Sequence, residues 1–394
     1  MRYKTYSLKE LATIKYGKNQ KQVQDEEGII PIYGTGGVIG YATKSLYDSP
    51  SVLIGRKGTI GKVKFVSSPF WTIDTLFYTE INTDIIYPKY LYYVMSLLDL
   101  NQYNEGTTIP SLRTETLNRL KFNIPSIQTQ RKILDILNPL DDKIELNNRI
   151  NKNLEQQAQA IFKSWFIDFE CFNNDLVMTP ANFLAPKSLK MIQILNIPHI
   201  LETGKRPKGG ASAKGIPSIG AENVKELGVF DTSKEKFIPM DFALKLNKGL
   251  VNGYELMIYK DGGKPGTFIP HFSMFGEGFP YEHFFINEHV FKLDFGNRGF
   301  NEFAYFYFQT DYVYNWLANN GGKAAVPGIN QKDINDIWIF DPSNEKIKLF
   351  CDLVQPFFTT IFINCKQNMR FAKIRDLLLP KLMNGKIDVS EINL

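Results

Sequence analysis

From Ile127 to Trp165 the apolar side chains fall at Ile133, Leu137, Leu140, Ile144, Leu154, Ala158, Ile161 and Trp165. The steps alternate four and three, which predicts one long helix with a narrow apolar seam. Asn147 and Asn151 interrupt that seam. At one constant offset a second series follows: Phe350, Val354, Phe357, Ile361, Asn364, Asn368, Phe371, Arg375, Leu378 and Leu382. The two asparagines recur in register, as do Pro139 and Pro356. A buried Asn layer costs stability and fixes register and orientation. The layer lies near the middle of each seam, so antiparallel pairing sets Asn147 and Asn151 opposite Asn364 and Asn368. Parallel pairing aligns the layers equally well, and the pattern alone leaves both open. A helix of roughly 40 residues is about 60 Å long, the length of a spacer. Two ordinary bundle helices are the plainer reading.

Around these helices the chain divides into residues 1–126, a first long helix at 127–170, residues 171–342, a second long helix at 343–384 and a tail at 385–394. In 1–126, Ser7–Tyr16 predicts a short amphipathic helix capped by Ser7. Short runs rich in β-branched and aromatic residues predict strands at 29–33, 51–54, 62–66, 76–78 and 120–124. Pro88–Leu100 has helical spacing, and Ser126 is placed to cap the long helix. Residues 171–342 repeat the plan loosely. Ile216-Pro217 matches Ile30-Pro31, and Val326-Pro327-Gly328 falls where Ile109-Pro110-Ser111 does. Phe303–Trp316 predicts an aromatic helix like Pro88–Leu100. The chain is thus two copies of one module, a mixed globular domain followed by a long helix. The class is α+β, with two mixed α/β domains separated by two long helices and an internal repeat.

Composition changes little. A chain of 394 residues exceeds a single core. Its apolar runs are short for a membrane span, and Met1-Arg2-Tyr3-Lys4 opens no signal peptide. Three cysteines without metal-ligand spacing read as reduced thiols of a cytosolic protein. A net charge of +5 permits an anionic partner without requiring one. Gly34 to Gly40 lacks the dinucleotide spacing, and Gly55 to Lys62 fits no P-loop, so both read as glycine turns. His283 and His289, beside Glu282 and Glu288, lack zinc spacing and read as structural. The aromatic stretches Tyr87–Tyr93 and Phe303–Tyr314 read as core.

The basic loops are different, because they recur in pairs. Lys18-Asn19-Gln20-Lys21 and Lys205-Arg206-Pro207-Lys208 occupy similar places in the two domains. Arg56-Lys57 and Lys260 lie in glycine-rich turns that also hold Thr59 and Lys264; Arg113 and Gln331-Lys332 follow the proline loops. Lys and Arg hold phosphates, while Arg, Asn and Gln read base edges. Any one of them alone is more simply a solvated turn.

With these features the whole chain resembles the specificity subunit of a type I DNA restriction-modification system. The carriers are Asn123-Ile124-Pro125-Ser126-Ile127-Gln128-Thr129-Gln130-Arg131-Lys132-Ile133, Leu140-Asp141-Asp142-Lys143-Ile144 and Ala160-Ile161-Phe162-Lys163-Ser164-Trp165-Phe166. Gly55-Arg56-Lys57-Gly58-Thr59-Ile60-Gly61 and Leu378-Leu379-Pro380-Lys381-Leu382-Met383-Asn384-Gly385-Lys386-Ile387 add to them. The second domain departs from the glycine motif, with Tyr259-Lys260-Asp261-Gly262-Gly263-Lys264-Pro265-Gly266 in its place. The resemblance implies two target recognition domains, each reading one half of a split double-stranded DNA target. It implies an antiparallel coiled coil that spaces them, with a pseudo-two-fold relation, and that docks two methyltransferase subunits. Restriction subunits join in the full complex. S-adenosylmethionine is then bound by the methyltransferase partner, and this cytoplasmic, bacterial or archaeal chain has no catalytic residue, metal or cofactor of its own. The residue search agrees, finding no adenosylmethionine loop, Asn/Asp-Pro-Pro-aromatic tetrad or Walker motif. The competing readings are a coiled-coil scaffold with two binding domains and no DNA role, and a DNA-modifying enzyme with an unrecognised site.

Overall fold

The computed structural model describes residues 2–173, 175–322 and 326–391. The chain forms two compact units, 1–142 with 371–394, and 143–370. The first unit begins with β1 (Tyr3–Ser7), α1 (Leu8–Leu11) and β2 (Ala12–Tyr16). The helix expected over Ser7–Tyr16 therefore stops after one turn. Ser7 and Glu10 form a capping box around it, but Ala12–Tyr16 pairs along β8 and becomes strand. Next come β3 (Ile30–Gly34), β4 (Gly37–Ala42), β5 (Ser51–Gly55), β6 (Val63–Val66), β7 (Trp71–Thr72) and β8 (Leu76–Ile81). They form two sheets, ordered β2-β8-β5-β6 and β4-β3-β7. The helices α2 (Pro88–Ser96) and α3 (Thr114–Asn118) follow, and then β9 (Lys121–Pro125), which pairs with β1.

The long helix α4 (Ile127–Phe166) starts where Ser126 Oγ accepts from the Thr129 N–H at 3.3 Å. Gln130, in its first turn, is fully buried, accepting from the Tyr87 N–H and donating to the carbonyls of Ile85 and Pro125.

The second unit contains β10 (Leu176–Met178), β11 (Leu184–Pro186), β12 (Met191–Gln193), β13 (Ile200–Thr203), β14 (Ile216–Ile219) and β15 (Phe237–Ile238). Then come α5 (Met240–Ala243), β16 (Leu250–Val251), β17 (Leu256–Tyr259), β18 (Phe272–Met274), β19 (Phe284–Ile286) and β20 (Val290–Asp294). Its main sheet has the order β13-β20-β17-β18, the same plan as in the first unit, and β14 runs parallel to β19 as β3 does to β7. The aromatic helix expected over Phe303–Trp316 is instead two, α6 (Arg298–Tyr307) and α7 (Asp311–Gly321). The chain breaks between them as the Thr310 hydroxyl donates back to the Tyr307 carbonyl at 2.7 Å. α8 (Gln331–Asn335), β21 (Trp338–Phe340) and α9 (Glu345–Met383) end the chain's regular structure.

In each unit the local segments of α4 and α9 run antiparallel. In the first, Ile133 and Leu137 share a core with Leu379 and Leu382, and Asp141 Oδ1 meets Arg375 Nη1 at 2.9 Å. Asp141 also accepts from the Tyr93 hydroxyl, which gives the one charged seam position, Arg375, a satisfied acidic partner. The tail closes the same core: Val389 is fully buried, and Lys132 Nζ donates to the Ser390 carbonyl at 2.7 Å. In the second unit Asn147 Nδ2 donates to Asn368 Oδ1 at 2.9 Å, and Asn364 Nδ2 to Asn151 Oδ1 at 2.8 Å. Asn368 Nδ2 also donates to Asn148 Oδ1 at 2.8 Å.

Beyond Ala158 the buried face departs from the seam. Ile161, Trp165 and Phe357 are half-buried, while Phe162, Phe166 and Phe358 are deep. Here both helix segments lie on the second unit's core, with Phe162 and Phe166 packed on Phe303 and Phe350. A globular face asks for a wider stripe than a two-helix seam. This also explains α9's hydropathy: by length and composition it is apolar enough to cross a membrane, yet Phe350, Val354, Phe358 and Ile361 are core residues.

Candidate nucleic-acid interface

In the first unit β2 and β5 both run antiparallel to β8, so their ends and the start of β8 meet at one edge. The parallel pairing of β3 with β7 brings the turn after β3 to the same place. Residues 73–75, between β7 and β8, are the hub of these loops. Gly17 lies against them: a Cβ there would sit 2.0 Å from the Ile73 carbonyl oxygen. The Lys18 N–H donates to the Thr72 carbonyl at 2.8 Å, and Trp71 Nε1 to the Lys18 carbonyl at 2.9 Å. Asn19 uses its side-chain oxygen on its own loop, accepting from the Lys21 N–H at 2.9 Å. The Gln20 carbonyl accepts from the N–H groups of Val23 and Gln24.

On the other side of the hub, the Arg56 N–H donates to the Thr75 carbonyl at 2.9 Å and Arg56 Nη1 to the Asp74 carbonyl at 2.8 Å. Gly58, at φ +83°, turns the loop past exposed Thr59. The Gly58 N–H donates to the Pro110 carbonyl at 2.8 Å, which ties the proline loop alongside. Arg113, beyond that loop, pairs with Glu105 at 3.2 Å.

The second unit repeats the arrangement with other residues. A Cβ on Gly204 would lie 1.6 Å from the Ile286 carbonyl oxygen. The Lys260 N–H donates to the His289 carbonyl at 3.0 Å, Lys260 Nζ to the Glu288 carbonyl at 3.1 Å, and the Gly262 N–H to the Pro327 carbonyl at 2.9 Å. Lys260 thus stands where Arg56 does, and both cations hold their own loops. Around Lys260 lie acids as well as bases. Asp261 pairs with Lys260 at 3.2 Å and with His289, and Glu288 pairs with Arg206 at 3.4 Å. Gln331 donates to the Leu201 carbonyl at 2.8 Å, and Lys332 pairs with Asp336. Burial, and then Lys225, push the His271 imidazole below its usual range.

The candidates thus separate into two kinds. Arg56, Arg113, Arg206, Lys260, Gln331 and Lys332 are engaged within the chain. Lys18, Lys21 and Lys57 in one unit, and Lys205, Lys208 and Lys264 in the other, are exposed and have no side-chain partner among the described residues. Apolar residues at the same edges were missed: Ile109 is 60% exposed and Val326 71%, each beside its proline. Their matching places before Pro110 and Pro327 were the available signal.

Residues 2–156 match the model of the type I restriction modification DNA specificity domain family. The chain is 27% identical over 358 residues to the type I restriction enzyme MjaIX specificity subunit of Methanocaldococcus jannaschii, covering 88% of this chain and 80% of that one. It is 27% identical over 396 residues to the HindI specificity subunit of Haemophilus influenzae, covering 83% and 84%. The crystal structure of a type I restriction-modification system S subunit from M. genitalium shares the fold, with a TM-score of 0.58 at 16% identity over 97% of this chain and 96% of that one.

Proposed function

We propose, for a chain whose residues 2–156 belong to the type I restriction modification DNA specificity domain family and whose length is matched by specificity subunits, that it reads a bipartite DNA target without catalysing a reaction. Each unit presents one loop edge to one half of the target. The observation that carries this is the repeated loop edge, built on Gly17 and the Arg56 hub in one unit and on Gly204 and the Lys260 hub in the other. Among the described residues each edge holds exposed lysines without a side-chain partner, Lys18, Lys21 and Lys57 in one and Lys205, Lys208 and Lys264 in the other, as phosphate contacts require. The asparagine bonds between α4 and α9 support an antiparallel coiled coil that holds the spacing and register. Leu146, Leu349, Leu353 and Ile363 are exposed on these helices, which suits docking of methyltransferase subunits. S-adenosylmethionine belongs to those partners, restriction subunits join them, and the complex works in the cytoplasm.

The test is a salt titration of duplex binding by the chain assembled with its methyltransferase. Each lost phosphate contact lowers the slope of log K against log salt by about 0.9. Replacing Lys18, Lys21 and Lys57 by Ala is expected to lower it by about 2.7. No duplex binding favours a scaffold with no DNA role, and a slope that the three substitutions leave unchanged rules out these lysines as phosphate contacts.

A further inference from the structure

The β3–β4 hairpin ends in a feature that the lysines do not explain. Tyr33 pairs with Val38 and Ile32 with Gly40, so Ile39 is an extra, unpaired residue. Such a bulge re-aims side chains at the end of a strand pair. Val38 and Ile39 are each 46% exposed, beside a tip that contains Gly36 and Gly37. A Cβ on either glycine would meet nothing within 4 Å, and Gly37 has φ +127°. The tip is therefore slender, and the backbone can approach a surface closely. Its place is tied to the basic loop: at Gly34 a Cβ would lie 3.1 Å from Ile39 Cγ2 and 3.5 Å from Ile73 Cδ1, and the Ile73 carbonyl is the atom against which Gly17 packs. Ile39 thus lies at the same Ile73 hub as Gly17, the residue before exposed Lys18.

A two-stranded ribbon fits the DNA major groove, where thymine alone among the four bases displays an apolar group, its C5 methyl. We propose that Val38 and Ile39 contact a thymine methyl in the half-site read by the first unit. This inference rests on the DNA-reading function proposed above.

The experiment uses the chain assembled with its methyltransferase and a duplex selected from a randomised library. Each thymine in turn is replaced by deoxyuridine, which lacks only the methyl. At one or two positions of a single half-site the wild type is expected to lose roughly four-fold in affinity per methyl. Val38→Ala and Ile39→Ala, both at exposed sites, are expected to bind the thymine and uracil duplexes alike while keeping the wild-type salt slope. Lys18→Ala is expected to lower that slope and keep the thymine preference. Sequence-selective, salt-dependent binding with no loss at any deoxyuridine overturns the methyl contact and leaves DNA reading intact. So does an unchanged thymine preference in both hairpin variants. Failure to select any duplex overturns both proposals.

Discussion

At the scale of single residues, spacing along the chain does not reveal burial. Arg298 and Glu302 stand four apart on α6, the arrangement of a surface ion pair. Glu302 is fully buried, meets Arg298 Nε at 3.0 Å through one oxygen, and leaves Oε2 without a partner. Arg298 Nη2 reaches α9, donating to Thr359 Oγ1 at 2.6 Å and the Gln355 carbonyl at 3.1 Å, while its guanidinium lies 3.4 Å from the Tyr254 ring centre. Burial pushes the Glu302 carboxyl from 4.5 up to about 7, with Arg298 opposing. The native state then holds a proton that the unfolded chain releases above 4.5. By linkage, this group's contribution to stability falls as pH rises from about 4.5 to about 7. Glu302→Gln is expected to remove that part of the pH dependence. Melting temperatures of wild type and variant across this window provide the measurement, and an unchanged difference between them at every pH would count against the assignment.

At the scale of elements, the asparagine layer was legible and the limits of the seam were not. Asn147, Asn151, Asn364 and Asn368 recur in register because a polar pair inside an apolar interface penalises every other alignment. Antiparallel contact follows from their bonds in the second unit, a choice that the pattern left open. Replacing Asn364 alone by Leu removes the partner of Asn151 Oδ1 and is expected to cost about 1–3 kcal/mol. Replacing all four by Leu is expected to raise the melting temperature and loosen register. Thermal melts of the two variants test this, and a lower melting temperature for the fourfold variant would count against a buried polar layer that costs stability. The seam fails at Phe162, Phe166 and Phe358 for a different reason: the partner there is a domain core as well as a helix.

At the scale of the whole molecule, two units share a strand order and a loop edge but differ in the residues that line it. Each edge is expected to read its own half-site. Exchanging residues 171–342 for the corresponding segment of a relative should change one half of the methylated sequence and leave the other untouched. Methylome sequencing of cells carrying the exchanged chain with its methyltransferase reads this directly. A change in both halves would show that the two edges do not read independently.

The sequence by itself determined the periodic parts, the two long helices and their shared asparagines, and the glycine turn that holds Gly58. These are local or self-repeating constraints, set by side-chain spacing and backbone freedom. Only the tertiary structure decided that Ala12–Tyr16 is strand, because pairing with β8 outweighs a one-turn helix. It alone divided the basic candidates into those that hold a loop, such as Arg56 and Lys260, and those left exposed, such as Lys18 and Lys205. That division depends on carbonyls and acids many residues away, Asp74 and Glu288 among them, and no local pattern of charge encodes which distant group a cation will meet.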